Sequence, residues 1–275
     1  MTLFGPTVSA HWLADHLDED DLVVVDSRWS LDGGPGRAAY EDAHIPSAVF
    51  ADLDTDLSAP ASVDAGRHPL PTPEAFANAM GRLGIGDDTR VVVYDDAAGV
   101  IAARLWWMLD SIGVDAAVLD GGLAAWAGPH ETGPVVPTPT DVAAVKWPDD
   151  RFVDVDDVLG AIAAGATHLD ARSADRFAGE ANPIDTRPGH IPGSFSRPWQ
   201  DNLGEDGRFR PAEDLEAELG PAAHPDLVTS CGSGVTGCHT LLAARLAGQE
   251  GGRLYTGSWS EWSQDAERPV ATDRG

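Results

Sequence analysis

The sequence predicts an α/β fold of two tandem domains, each a parallel sheet flanked by helices. The first observation is an internal repeat, because four sequence blocks recur in the same order, offset by about 135 to 146 residues. The second is that short β-branched apolar runs alternate with stretches of helical length, which favours a parallel sheet covered on both faces. The third is the length of 275 residues, which suits two domains better than one.

The repeat pairs blocks from the two halves of the chain. The pairs are Val23–Arg28 with His168–Arg172, Ala43–Ala48 with Gly189–Ser194, Arg90–Asp95 with Asp226–Cys231, and Leu119–Trp126 with Tyr255–Trp262. Two copies of one domain explain this order. Two pairs of polar side chains occupy equivalent positions in both copies, so we expect them to stabilise the fold rather than to take part in catalysis. They are Arg28 with Arg172 and His44 with His190.

Periodicity predicts the elements of the first copy. Apolar β-branched runs predict buried parallel strands around Val23–Val25, Val91–Tyr94 and Ala117–Leu119. Length and spacing predict helices over 72–83 and 99–112.

Composition sets the domain bounds. The stretch 129–150 is rich in proline and has no clear periodicity, which is typical of a linker. We therefore predict a first domain over 1–128, a linker over 129–150 and a second domain over 151–275.

The charge narrows the classes of partner. A formal net charge of −27 repels nucleic acid and anionic lipid, so neither is expected as a partner. The chain shows no apolar run of membrane-spanning length and no leader-like N-terminus, which predicts a cytoplasmic protein. Acidic residues are mostly Asp and the only lysine is Lys146, which favours a salt-adapted source; a GC-rich genome is the alternative.

The two cysteines, Cys231 and Cys238, match neither a disulfide framework nor a zinc signature. We therefore expect no metal, and we expect any cysteine chemistry to be that of a thiol. Cys231 lies between an apolar run and an Ala/Leu-rich helix, in a glycine-rich loop. Such a loop can turn successive N–H groups inward, and a helix N-terminus adds positive charge, so the loop favours a thiolate.

Three other interpretations of this loop were weighed. An inert buried cysteine is common in proteins, but the surrounding glycines disfavour it here. The run Gly232–Gly237 fits a dinucleotide-binding fingerprint, but it lies in the last quarter of the chain rather than in a first βα unit. A cysteine phosphatase needs an arginine that closes the loop, and this loop closes without one.

The loop Cys231–Cys238, which reads C-G-S-G-V-T-G-C, resembles that of sulfurtransferases in the rhodanese family. Supporting blocks lie along nearly the whole chain. They include Trp106-Trp107-Met108, Asp120-Gly121-Gly122, His190-Ile191-Pro192-Gly193 and Gly257–Trp262. The resemblance implies two tandem rhodanese-like domains of which only the second is catalytic. The first copy agrees with this, since Asp95 stands where Cys231 stands in the second.

The resemblance also implies a mechanism. Cys231 would carry a sulfane sulfur as a persulfide, without a cofactor. Ser233, His68 and Asp54 would form a proton relay. The loop residues Gly232, Gly234, Val235 and Thr236 would bind and stabilise the sulfur through their amides.

Substrate residues follow from the resemblance too. Arg176 and Arg187 match arginines that bind the donor. The loop lacks the cations that thiosulfate enzymes carry, which favours 3-mercaptopyruvate as donor, with thiosulfate as the alternative. The expected acceptor is cyanide or a thiol, such as a thioredoxin-like protein or a low-molecular-weight thiol. A persulfide carrier that serves a partner protein stays open as another class of function.

Overall fold

The computed structural model describes residues 5–30, 36–219 and 226–273. The chain divides into two compact units. The first contains residues up to Ala59 together with Leu70–Trp147 and Asp206–Arg208. The second contains Pro60–Pro69, Pro148–Glu205 and the residues from Phe209 onward. The short segment 60–69 therefore belongs to the second unit, although it lies in the first half of the sequence.

In its described residues, the first unit is a five-stranded parallel sheet of order β1-β5-β4-β2-β3. Its strands are β1 (Thr7–Val8), β2 (Leu22–Asp26), β3 (Val49–Phe50), β4 (Arg90–Tyr94) and β5 (Ala116–Leu119). Its helices are α1 (Ala10–His16), α2 (Gly36–Asp42), α3 (Pro73–Arg82) and α4 (Ala102–Ser111), with a 3-10 turn at Gly122–Ala125.

Local sequence explains these elements. The hydroxyls of Ser9 and Thr72 accept N–H bonds at the starts of α1 and α3, and Pro73 suits the first turn of α3. Helix α4 is buried from Ala102 to Leu109, including both tryptophans, so it lies within the core. The strands run where the apolar pattern predicted them.

The second unit repeats the architecture with the strand order β6-β10-β9-β7-β8, again parallel throughout its described strands. The strands are β6 (Phe152–Val153), β7 (Thr167–Asp170), β8 (Phe195–Ser196), β9 (Leu227–Ser230) and β10 (Arg253–Tyr255). The helices are α5 (Val158–Ala163), α6 (Ala174–Phe177), α7 (Ala212–Leu219), α8 (Thr236–Leu246) and α9 (Ser258–Trp262), with a 3-10 turn at Trp199–Asn202. The predicted fold class is confirmed.

The repeated side chains make the same contacts in both units. Arg28 binds the Asp26 carboxylate through Nε and Nη2 and donates to a nearby carbonyl, and Arg172 does the same with Asp170. Nδ1 of His44 lies 2.8 Å from a backbone carbonyl oxygen, and Nδ1 of His190 lies at the same distance from another. These matching contacts support a role in the fold for the four residues.

The stretch predicted as a linker contains no helix or strand in the structure. Part of it lies along the first unit, where the N–H of Thr140 donates to the Gly81 carbonyl and Trp147 Nε1 donates to the Pro71 carbonyl. The predicted domain bounds stay a prediction. Across the described ranges, no helix combines the length and the apolar character that crossing a bilayer requires.

Candidate active site

Cys231 follows the last residue of β9 and is 2% exposed. The chain then turns sharply into α8, and Gly234 makes this turn with a φ of +77°. A Cβ on residue 234 would lie 2.3 Å from the carbonyl oxygen of Thr256. Glycine is therefore required there, both for its conformation and for the close approach of the two backbones.

Backbone N–H groups surround the sulfur. The N–H groups of Ser233 and Gly234 donate to Sγ of Cys231 at 3.4 and 3.2 Å. Helix α8 begins at Thr236 and has 11 residues, so the positive end of its dipole lies close to the thiol in the chain. Inward N–H donors and a helix N-terminus both favour a sulfur anion.

The start of α9 holds the cysteine loop from behind. The N–H of Cys231 donates to Oγ of Ser258 at 3.1 Å, and that hydroxyl donates to the Tyr255 carbonyl at 2.8 Å. Ser258 adopts a φ of +52°, an uncommon conformation for a serine. The carbonyls of Cys231 and Gly232 accept from the next two N–H groups of α9, at 3.0 and 2.9 Å. These contacts attach the cysteine loop to the start of α9.

Segment 60–69 brings a histidine to this loop within the second unit. Nδ1 of His68 lies 2.8 Å from Oγ of Ser233, and both residues are buried. The N–H of Arg67 donates to Oγ of Ser260 at 3.0 Å, which anchors the segment on α9. The structure therefore brings together three of the predicted residues, Cys231, Ser233 and His68.

Two arginines lie over the same loop. A Cβ on Gly232 would lie 2.9 Å from Nη2 of Arg67 and 3.1 Å from Nη2 of Arg176. Arg176 was predicted as a donor-binding residue. Arg67 was missed, although it directly precedes His68 in the sequence, and that adjacency was the signal that could have found it.

Asp185 orients Arg176. Its carboxylate accepts from Nε and Nη2 of Arg176 at 2.9 and 2.6 Å, and Arg172 Nη1 adds a longer contact of 3.4 Å. Burial alone would raise the pKa of Asp185, but the bond to Arg176 and its charge hold that pKa below the usual range. Asp185 therefore stays ionised and fixes one of the two guanidinium groups over the loop.

Two predicted residues have other partners. The guanidinium of Arg187 donates to the carbonyls of Asp265 and Arg268 at 2.6 and 3.1 Å. Asp54 belongs to the first unit, where its carboxylate accepts from Trp29 Nε1 at 2.9 Å. The predicted pairing of Asp54 with His68 stays a prediction.

The second thiol is also buried. Sγ of Cys238 lies 3.4 Å from the Gly234 carbonyl oxygen, as expected for a thiol in the first turn of α8. Within the part of the chain that the structure describes, no group of three or more His, Cys, Asp or Glu residues could hold a metal ion.

The corresponding loop of the first unit holds a carboxylate. Asp95 follows β4 and is completely buried. Its two oxygens accept four backbone N–H groups at 2.7 to 2.9 Å, from Ala97, Gly99, Ile101 and Ala102. The same turn is therefore built in both copies around different side chains.

Comparisons with known proteins agree with this architecture. A model of the rhodanese-like domain matches residues 9–129 and again residues 154–265. The crystal structure of SseA from Escherichia coli, described as a 3-mercaptopyruvate sulfotransferase, superposes with a TM-score of 0.81 at 36% identity. The alignment covers 94% of this chain and 100% of that one.

Sequence relatives carry two kinds of name. A Pseudomonas aeruginosa protein named "Probable 3-mercaptopyruvate sulfurtransferase" is 45% identical over 96% of this chain and 97% of its own. A Mycobacterium tuberculosis protein named "Putative thiosulfate sulfurtransferase SseB" is 41% identical over 91% of each. With both copies matched and similarity along nearly its whole length, the chain belongs to the rhodanese family.

Proposed function

We propose that this protein is a sulfurtransferase that takes a sulfane sulfur from 3-mercaptopyruvate and carries it as a persulfide on Cys231. The observation that carries the proposal is the position of Sγ, which accepts two loop N–H groups next to the Ser233–His68 pair. The family and the names of its relatives support the same reaction.

In the first step the Cys231 thiolate attacks the sulfur of the donor. An S–S bond forms and the C–S bond breaks, and its electron pair leaves with carbon as the enolate of pyruvate. The thiol proton of the donor must then reach that carbon. We propose that the Ser233 hydroxyl, which lies 2.8 Å from His68 Nδ1, passes this proton.

In the second step an acceptor thiolate, or cyanide, attacks the outer sulfur of the persulfide. The S–S bond breaks, the sulfur leaves with the acceptor and the Cys231 thiolate is restored. The N–H groups of Ser233 and Gly234 stabilise the sulfur anion in both resting states. A thioredoxin-like protein or a low-molecular-weight thiol is the acceptor we propose for the cell.

Thiosulfate is a second candidate donor. Arg67 and Arg176 lie beside Gly232, so positive charge reaches the loop from outside it. This weakens the argument that a loop without cations disfavours a dianion. The name of the Mycobacterium tuberculosis relative points in the same direction.

The direct test is sulfur transfer to cyanide by the purified protein with each donor, at low and molar KCl. We expect a higher kcat/KM with 3-mercaptopyruvate, and a protein mass increased by one sulfur atom when donor is added without acceptor. Cys231→Ser is the control and should show neither. A higher kcat/KM with thiosulfate would replace the donor, and no turnover with a stable persulfide would favour a carrier.

Ser233→Ala tests the proton path. We expect kcat with 3-mercaptopyruvate to fall about 10- to 100-fold, because a carbon must be protonated in that reaction. Transfer from thiosulfate releases sulfite and needs no such proton, so its kcat should change by less than about threefold. An equal fall with both donors would mean that Ser233 acts by shaping the loop.

A further inference from the structure

Two buried residues on strands β7 and β9 differ from their counterparts in the first unit. Ser230 occupies the position of Tyr94, and His168 occupies the position of Val24. All four residues are at most 3% exposed. The core beside the cysteine loop has therefore lost a phenol ring and gained an imidazole. This exchange matters because the phenol of Tyr94 satisfies a buried backbone group.

The Tyr94 hydroxyl has two polar neighbours in the first unit. It accepts the N–H of Ile45 at 3.1 Å, and Ile45 is fully buried. Asp26 is aligned with Tyr94 in the sheet, and after burial itself the Asp26 carboxylate is the next cause that raises the pKa of the phenol. The phenol therefore gives a buried N–H donor its acceptor and lies close to a buried carboxylate.

The second unit lacks that acceptor. Ile191 corresponds to Ile45 and is 1% exposed, and its N–H group has no hydrogen-bond acceptor among the described residues. The hydroxyl of Ser230 is attached to Cβ and cannot extend as far as a phenol; it lies 2.9 Å from Nε2 of His168. Leaving a buried N–H group without an acceptor is costly, so we expect the acceptor to come from outside the chain.

His168 supplies a second polar atom of this kind. Its Nδ1 is buried and has no hydrogen-bond partner in the described part of the chain. Asp170 is aligned with Ser230 in the sheet, so a carboxylate stands at the equivalent position here too. Imidazole is larger than the isopropyl group of valine, but replacing tyrosine by serine removes a whole ring. A water molecule needs about 30 Å³ and roughly two to four polar partners, and this place offers both.

We propose that the second unit binds an ordered water molecule where the Tyr94 phenol oxygen lies in the first unit. The water accepts the N–H of Ile191 and donates to the Asp170 carboxylate and to Nδ1 of His168. His168 can accept there because its Nε2 carries the ring proton and donates to the neighbouring serine hydroxyl. The water site lies next to the residue that precedes Cys231. It does not depend on the proposed function, because none of its groups is a reacting atom.

Exchanging the two pairs of residues between the units tests the water site. His168→Val with Ser230→Tyr gives the second unit the pair of the first, and Val24→His with Tyr94→Ser makes the reverse exchange. Magnetic relaxation dispersion of water ¹⁷O counts the long-lived water molecules inside each protein. We expect the count to fall by at least one in the first double variant and to rise by at least one in the second, because the phenol and the water occupy the same place.

A crystal structure of the native protein that shows ordered water would locate the site directly. We expect a water oxygen about 2.7–3.2 Å from the nitrogen of Ile191. The nitrogen of Ile45 is the internal control, since it should keep the phenol oxygen as its acceptor. Circular dichroism would show whether each double variant is folded.

A native crystal structure without water at the Ile191 nitrogen, or with a protein acceptor there, would overturn the proposal. So would an unchanged water count in a folded variant that carries both His168→Val and Ser230→Tyr. If that variant does not fold, the native crystal structure decides alone. An inactive native protein with the water in place would leave this proposal standing and contradict only the proposed function.

Discussion

The loops after β4 and β9 occupy equivalent positions in the two units and use their N–H groups differently. Asp95 takes four of these groups with its own carboxylate oxygens. Cys231 accepts two through a single sulfur atom. The Asp95 carboxylate thus occupies N–H groups of its own loop with two oxygen atoms, whereas the Cys231 loop directs its N–H groups at one sulfur atom.

The comparison extends residue by residue. Counting from Asp95 and Cys231, Ala97 corresponds to Ser233 and Ala98 to Gly234. The first loop therefore lacks the nucleophile and the hydroxyl while it keeps the turn. Each difference can be tested by giving one loop the residue of the other.

Cys231→Asp should have the largest effect. The carboxylate cannot carry sulfur, so transfer from either donor should fall at least about 1000-fold. The fold should persist, because the loop N–H groups can donate to the new carboxylate oxygens as those of the first loop donate to Asp95. Circular dichroism and cyanide assays with both donors would measure this. Residual transfer above that level would place the sulfur carrier elsewhere.

Asp95→Asn should destabilise the first unit by about 3 kcal/mol. The amide nitrogen cannot accept, so buried N–H donors lose their partner. Hydrogen exchange of peptides over 90–102 would report the loss, with peptides over 227–238 as an internal control. Asp96→Asn is the matched variant, because it makes the same change from carboxyl to amide at an exposed neighbour. Equal protection in Asp95→Asn and the native protein would contradict this interpretation of the loop.

Gly234→Ala should lower the free energy of unfolding by about 2 to 3 kcal/mol, because the added Cβ would lie 2.3 Å from the Thr256 carbonyl oxygen. The reciprocal change, Ala98→Gly, should shift stability by less than about 1 kcal/mol, since Ala98 already adopts a φ of +56°. Urea unfolding of the two variants gives the contrast. Similar midpoints for both would show that the two turns tolerate a Cβ equally.

His168→Val should change the pH dependence of stability. The substitution introduces the residue of the equivalent position in the first unit, Val24. His168 is buried and Nε2 lies 2.9 Å from Ser230 Oγ. Burial lowers its pKa from 6.5 to about 4. Between these two values the His168 imidazole is protonated in the unfolded chain and neutral in the folded chain. The free energy of unfolding therefore falls as pH drops from about 6.5 toward 4.

The native protein should accordingly lose about 2 kcal/mol through His168 between pH 7 and pH 5. In His168→Val that part of the loss should disappear. Urea titrations at the two pH values measure it, with His11→Ala, an exposed histidine, as the control. The same pH-dependent loss in His168→Val and the native protein would contradict the assignment.

Much of this structure could be predicted from the sequence. Apolar runs marked the strands, the repeat marked the duplication, and the glycines around Cys231 marked the loop. Periodicity reports which face of an element is buried, so it works for β4 or α4. It carries no information about segment 60–69, which has no regular element and packs on the second unit. For that reason Arg67 was not among the predicted site residues.

Segment 60–69 also determines which fragment of the chain would contain the complete second unit. A fragment that begins at Pro148 would contain the nucleophile and the whole second sheet but neither Arg67 nor His68. The two copies follow each other in the sequence, yet the ten residues Pro60–Pro69 of the first half belong to the second unit. The two halves of the sequence therefore do not coincide with the two units. A substitution between residues 60 and 69 changes the unit that contains Cys231.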